Sequence, residues 1–189
     1  MALLDPKQKE LLSRSHRKAL PSPPIFTLPG KSQTMRLIGV DPGTRYVGWG
    51  VIERRANALV LIDCGCIAPK GTLSLKERLC VIFSELEEVL GRTKPAAAAL
   101  EETFAGVNMK SAIAMGQGRG IALLCLGRAG LEVLEISPRS IKQSVTGNGA
   151  ATKARVASMV AAQLNLRSID AREDVTDALA AAVALVRRT

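Results

Sequence analysis

Short apolar runs broken by turn residues follow one another through the first part of the chain: Leu37-Ile38-Gly39-Val40, then Val47 to Ile52, then Leu59 to Ile67. Runs of this length with β-branched members predict strands, and Pro42-Gly43 between the first two predicts a hairpin, so the three build an antiparallel ribbon. Gly71 breaks it. Ser74-x-x-Glu77 reads as a capping box, and Leu75, Leu79, Ile82, Leu86, Val89 and Leu90 recur at helical spacing until Gly91 and Pro95. Ala96 to Leu100 predicts a short strand closed by Glu101-Glu102. Asn108 is placed to cap a helix running through Ile113, Gly116, Gly120 and Leu124, with the glycines thinning one face for close packing. Leu131 to Ile136 predicts a fifth strand, and Ser137-Pro138 opens a short helix. Two helices complete the chain, one from about Ala151 to Leu164 and one opened by Asp170-x-x-Glu173 and running to Arg188. The order predicts an α/β domain, a mixed five-stranded sheet flanked by α-helices.

A chain of 189 residues, 47% of them hydrophobic, is long enough for one domain with its own core. The formal net charge of +9 favours an anionic partner such as nucleic acid, although basic residues also serve solubility. Residues 1–34 hold six Lys or Arg against Asp5 and Glu10, together with Pro21, Pro23, Pro24 and Pro29. That segment is expected to be a disordered basic leader, leaving 35–189 as the domain. No stretch has the make-up of a secretory signal or a membrane span. Cys64, Cys66, Cys80 and Cys125 form no C-x-x-C pair, and the only histidine is His16. They read as small buried hydrophobes in a reducing compartment, which places the protein in the cytoplasm.

The chemistry lies in the carboxylates. Asp41 and Glu101 each close an apolar run, so if the two strands are neighbours their side chains meet at one sheet edge. Asp174 and Asp177 stand three apart in the last helix, which sets their Cβ atoms roughly 5 to 6 Å apart on one face. Acidic residues in a first helical turn also serve simply to complement the dipole. The segment that follows, Ala178 to Ala184, is apolar nearly all round, and carboxylates on such a buried helix need partners. Without histidines, an oxygen-rich cluster suits hard divalent cations, Mg²⁺ or Mn²⁺, and two such ions roughly 3.5 to 4 Å apart can hydrolyse a phosphodiester.

Taken in order, IGVDPGT, GWGVIE, DCGCI, LEETF, MGQGRG, ISPRSIKQSVTGNGAATKARV and DVTDALAAAV resemble the RuvC-type Holliday junction resolvases, nucleases of the RNase H-like superfamily. The resemblance covers nearly all of residues 36–187 and leaves the leader out. It implies that Asp41, Glu101, Asp174 and Asp177 are the metal-binding carboxylates, Glu102 facing the other way by strand alternation. Lys142 and Lys153 match basic residues near the scissile phosphate. Phe104 matches an aromatic that contacts bases at the junction centre, with core packing as the plain alternative. Arg119, Arg139 and Arg155 match less closely, as contacts to the DNA backbone or as ordinary solvated charges. Thr146-Gly147-Asn148-Gly149 is flexible by composition.

By the same resemblance the enzyme is a homodimer that nicks a four-way DNA junction at two symmetric positions, leaving 5′-phosphate ends, with Mg²⁺ as cofactor, two ions per site. The helix from Asn108 to Ala129 matches the dimer contact, and RuvA and RuvB are the implied branch-migration partners. Three readings compete with it. D-P-G-T also resembles the phosphate loop of actin-like ATPases, which need a second domain of this kind. A YqgF-type nuclease acting on structured RNA shares the Asp-Gly start but not the loop of Phe104, the paired lysines or D-x-x-D-A. A non-catalytic junction-binding module would do better without a negative cluster.

Overall fold

In the computed structural model, which describes residues 34–56, 58–102 and 109–188, β1 (Met35–Asp41) runs through the middle of a five-stranded sheet. β2 (Val47–Arg55) and β3 (Ala58–Ile67) follow it as antiparallel neighbours on one side; β4 (Ala97–Glu101) and β5 (Glu132–Ile136) are parallel to it on the other. The order β3-β2-β1-β4-β5 is the mixed sheet that the succession of runs predicts.

Alternation along β1 and β4 divides the core in two. Ile38, Val40, Ala98 and Leu100 face α1 (Leu75–Thr93) and α2 (Met109–Arg128). Leu37, Ala97 and Ala99 face α3 (Pro138–Thr146), α4 (Lys153–Gln163) and α5 (Glu173–Val186). α5 lies closest to the sheet. A methyl group built on Gly39 would run into the carbonyl oxygen of Ala178, and one on Gly48 into that of Asp174. Only bare backbone on the strands and small side chains on the helix allow this approach.

The local signals for α1 are realised in full: the Ser74 hydroxyl accepts from the Glu77 N–H while the Glu77 carboxylate accepts from that of Ser74. The helix passes Gly91 and stops at Thr93, where Lys94 turns left-handed ahead of Pro95. Ser137 caps α3 with Pro138 in its first turn, and Thr152 caps α4.

Three expectations are corrected. α5 begins at Glu173, with Arg172 at the capping position and no side-chain cap; Glu173 does not fold back because Lys153 holds its carboxylate at 2.8 Å. The glycines of α2 do not form one packed face. Among the described residues, a methyl group on Gly118 would meet the backbone of Gly43, while one on Gly116 or Gly120 would meet nothing, and Ile113 and Leu124 are exposed. Of the cysteines only Cys125 is buried, and Cys80 is exposed. The leader up to residue 33, Asn108 and Phe104 lie outside the described residues.

Candidate active site

Asp41 and Glu101 end neighbouring parallel strands. β1 and β4 are in register from Leu37 opposite Ala97 to Val40 opposite Leu100, and one more step sets Asp41 beside Glu101. Period-2 alternation puts both on the face of Leu37, Gly39, Ala97 and Ala99, which is the face covered by α5. Across β1, Asp41 pairs with Gly48, the residue on which the backbone of Asp174 rests. α5 therefore delivers its first turns, and Asp174 and Asp177 with them, to the strand ends that carry the other two carboxylates.

The electrostatics follow from that crowding. Burial, then the charges of Asp177 and Asp174, pushes the Asp41 carboxyl up to about 6. Burial, then Asp41 and Asp177, pushes Glu101 up to about 8. Burial also raises Asp177, against the pull of Lys153. Carboxylates that repel one another in a half-dry site hold their protons more tightly than free ones.

Each helix carboxylate already has a cation of the chain beside it. The Lys153 ammonium donates to Glu173 at 2.8 Å and to Asp177 at 3.4 Å, and its own proton is held more tightly because of the bond to Glu173. The Arg172 Nε donates to Asp174 at 3.2 Å, and its guanidinium lies 3.7 Å from the centre of the Tyr46 ring. Among the described residues no three His, Cys, Asp or Glu side chains stand close enough to wrap an ion as they are. The donor set nonetheless fits a hard divalent cation: four carboxylates, three of them with the proton held more tightly by burial and by neighbouring negative charge, with Lys153 and Arg172 at the rim.

A cleft of about 170 Å³ opens beside the carboxylates, with Glu101, Lys142, Lys153 and Asp177 on its walls. Arg139 and Lys142 border a second hollow with Asn148 and Gly149, and Arg155 a third with Thr146 and Thr152. Arg119 stands apart from this basic group. It donates to the carbonyl oxygen of Glu101 at 2.8 Å and pairs with Glu135, so it braces the end of β4. The Thr146–Gly149 loop is more tightly built than its composition suggests. Gly147 turns left-handed, the Gln143 side chain accepts from Gly149 and donates to Gly147, and the Thr146 hydroxyl donates to Lys142.

Residues 37–185 match the family model described as crossover junction endodeoxyribonuclease RuvC. The chain belongs to the RuvC family. It is 43% identical to the RuvC of Roseiflexus sp. over 148 residues, 78% of this chain and 88% of that one. A solved Thermus thermophilus RuvC in complex with Holliday junction substrate superposes with a TM-score of 0.77 at 32% identity, covering 82% of this chain and 94% of that one. The yeast mitochondrial Holliday junction resolvase Ydc2, at 11% identity and a TM-score of 0.61 over 84% of this chain, shares the fold. RuvC membership accounts for the order of the motifs, and the shared architecture bears out the RNase H-like expectation. Tyr46, Arg172 and Glu173 were not among the site residues read from the sequence. The available signal was modest: one of five aromatics sits in the turn after Asp41, and a basic-acidic pair directly precedes Asp174.

Proposed function

We propose that this RuvC-family chain resolves four-way DNA junctions by paired symmetric nicks, with Asp41, Glu101, Asp174 and Asp177 holding divalent cations. The reading rests on one observation above the others: two strand ends and one helix start, remote in sequence, bring four carboxylates to the same sheet edge and raise the proton affinity of three of them. Mg²⁺, two ions per site, is the proposed cofactor, and Mn²⁺ the substitute. Such ions supply Lewis-acid polarisation of a phosphate and a bound water of lowered pKa.

The chain's own residues do the rest. β1 and β4 fix Asp41 and Glu101 on rigid backbone, while α5 presents Asp174 and Asp177 from above. Lys142 and Lys153, on the walls of the cleft beside Glu101, bring ammonium charge to the phosphate as negative charge builds there. Arg139 and Arg155 line the neighbouring hollows and contact the DNA backbone. Arg119 serves the same surface by bracing Glu101. Phe104 is proposed from its motif alone to stack on bases at the junction centre.

A homodimer is supported by α2, which exposes Met109, Ile113 and Leu124 at intervals that return to one helix face. RuvA and RuvB as partners, the cytoplasm as location and residues 35–189 as the nuclease domain complete the reading. No helix among the described residues is long and apolar enough to cross a membrane.

Nicking of a four-way junction with and without Mg²⁺, mapped to the nucleotide, tests it. Asp41→Asn is expected to bind the junction as the parent does and to lose nicking by at least about 100-fold, as loss of a metal-binding carboxylate should. Parental nicking by that variant would overturn the assignment.

A further inference from the structure

Of the basic residues assigned so far, Lys142 and Lys153 stand beside Glu101 and Asp177, Lys153 reaching Glu173 at the start of α5, and none is assigned beside β2. Lys142 and Lys153 share a cleft with Glu101, on the β4 side. A DNA strand passing over the ends of β4 and β1 must continue over β2, and there the surface carries Tyr46 and Arg172. Tyr46 is the last residue before β2, and Arg172 directly precedes α5, whose start rests on Gly48 of β2. From β4 to β2 is two strand spacings, about 10 Å.

The pair is built in a way that mere packing does not require. The Arg172 guanidinium lies 3.7 Å from the centre of the Tyr46 ring, yet Tyr46 is 42% exposed and the Arg172 side chain 51% exposed. Its Nε is committed to Asp174, and it lies within reach of the Cys66 thiol. A guanidinium has five N–H donors in one rigid plane, so these contacts fix the plane and leave donors for an incoming anion. An exposed arginine–carboxylate pair contributes little stability by itself, which leaves the ordered stack without a folding purpose of matching size.

We propose that Arg172, held flat by Tyr46, contacts a DNA backbone phosphate on the β2 side of the scissile bond, opposite Lys142 and Lys153. The substrate strand then crosses the carboxylates between two cationic flanks. The inference rests on junction binding by this chain, so the test separates the two.

Junction affinity is measured by fluorescence anisotropy in EDTA across a salt series, with the Asp41→Asn protein as parent and Arg172→Gln, Arg172→Lys and Tyr46→Leu added to it. Circular dichroism confirms that each variant is folded. Arg172→Gln is expected to weaken binding several-fold and to reduce the slope of log affinity against log salt by about 1, the signature of one lost phosphate contact. Arg172→Lys keeps the slope, and Tyr46→Leu weakens binding with the slope unchanged. In a separate arm, calorimetry measures Mn²⁺ affinity in the Asp41-intact protein with and without Arg172→Gln. If Arg172→Gln matches its parent in affinity and slope, the phosphate contact is wrong, and a changed Mn²⁺ affinity would then assign Arg172 to holding Asp174. If the Asp41→Asn parent fails to bind the junction at all, it is the proposed function that falls.

Discussion

Asp41 and Glu101 occupy equivalent strand ends, yet at neutral pH they differ in charge. With Asp41 raised to about 6 and Glu101 to about 8, the first is mostly ionised and the second mostly protonated. The metal-free site at pH 7 therefore costs stability in two ways, by ionising Asp41 among like charges and by holding a proton on Glu101 that the unfolded chain would release. Asp41→Asn removes a half-buried charge that repels its neighbours, and is expected to stabilise the metal-free protein by roughly 1 to 2 kcal/mol in urea unfolding, the full shift being discounted for solvent screening. Glu101→Gln should already stabilise at pH 7, where the unfolded carboxylate ionises while the native one holds its proton, and stabilise somewhat further at pH 9, where the native carboxyl ionises as well. Equal effects of Glu101→Gln at the two pH values would show that its proton is not held by this cluster. Both carboxylates were legible in the sequence because each ends an apolar run, and period-2 alternation chooses Glu101 over Glu102. The Tyr46–Arg172 stack was not, because it depends on how α5 seats on β2. Glu173 misled for a related reason: its spacing from Asp170 imitates a capping box, and only the folded chain brings Lys153 to claim its side chain.

At the scale of elements, the seating of α5 on β1 and β2 decides whether a site exists. Ala178 and Asp174 rest their backbones on Gly39 and Gly48, so one methyl group at either strand position pushes the helix away from the sheet. Gly39→Ala and Gly48→Ala are expected to cost at least about 3 kcal/mol, since the obstacle is backbone and cannot rotate aside. Gly127→Ala is the contrasting case. It lies in α2 with room for a methyl group among the described residues, so alanine should stabilise by about 0.5 to 1 kcal/mol through helix propensity alone. Chemical denaturation of the three variants checks the prediction, and a mild effect at Gly39 would mean that α5 can ride higher without loss. The strands and the capped helices α1, α3 and α4 were legible because their signals are local. α2 was misread because periodicity locates an apolar face without saying what covers it. Its Ile113 and Leu124 look outward, while Ala122, Cys125 and Leu126 enter the core.

At the scale of the whole molecule, under the proposed assignment the same carboxylates tie folding, metal binding and catalysis to one pH window. Asp41, Glu101 and Asp177 all hold protons more tightly folded than unfolded, so the native state binds more protons than the unfolded chain from the ordinary carboxylate range up to about 6 for Asp41 and about 8 for Glu101. Stability without metal must therefore fall as pH rises through that window, and the cost is absent below it, where both states are protonated. A divalent cation competes with those protons for the same oxygens, so its binding releases them and strengthens with pH. The rise in melting temperature on adding a fixed concentration of Mg²⁺ should be near zero at about pH 5 and grow through the window to a plateau above about pH 8. Junction nicking should climb over the same range. Differential scanning fluorimetry with and without Mg²⁺ across pH reads the coupling directly. Asp41→Asn should flatten the pH dependence as well as reduce the shift, because it removes both a ligand and the charge that raises Glu101. A Mg²⁺-induced shift that is independent of pH would place the ion away from these carboxylates.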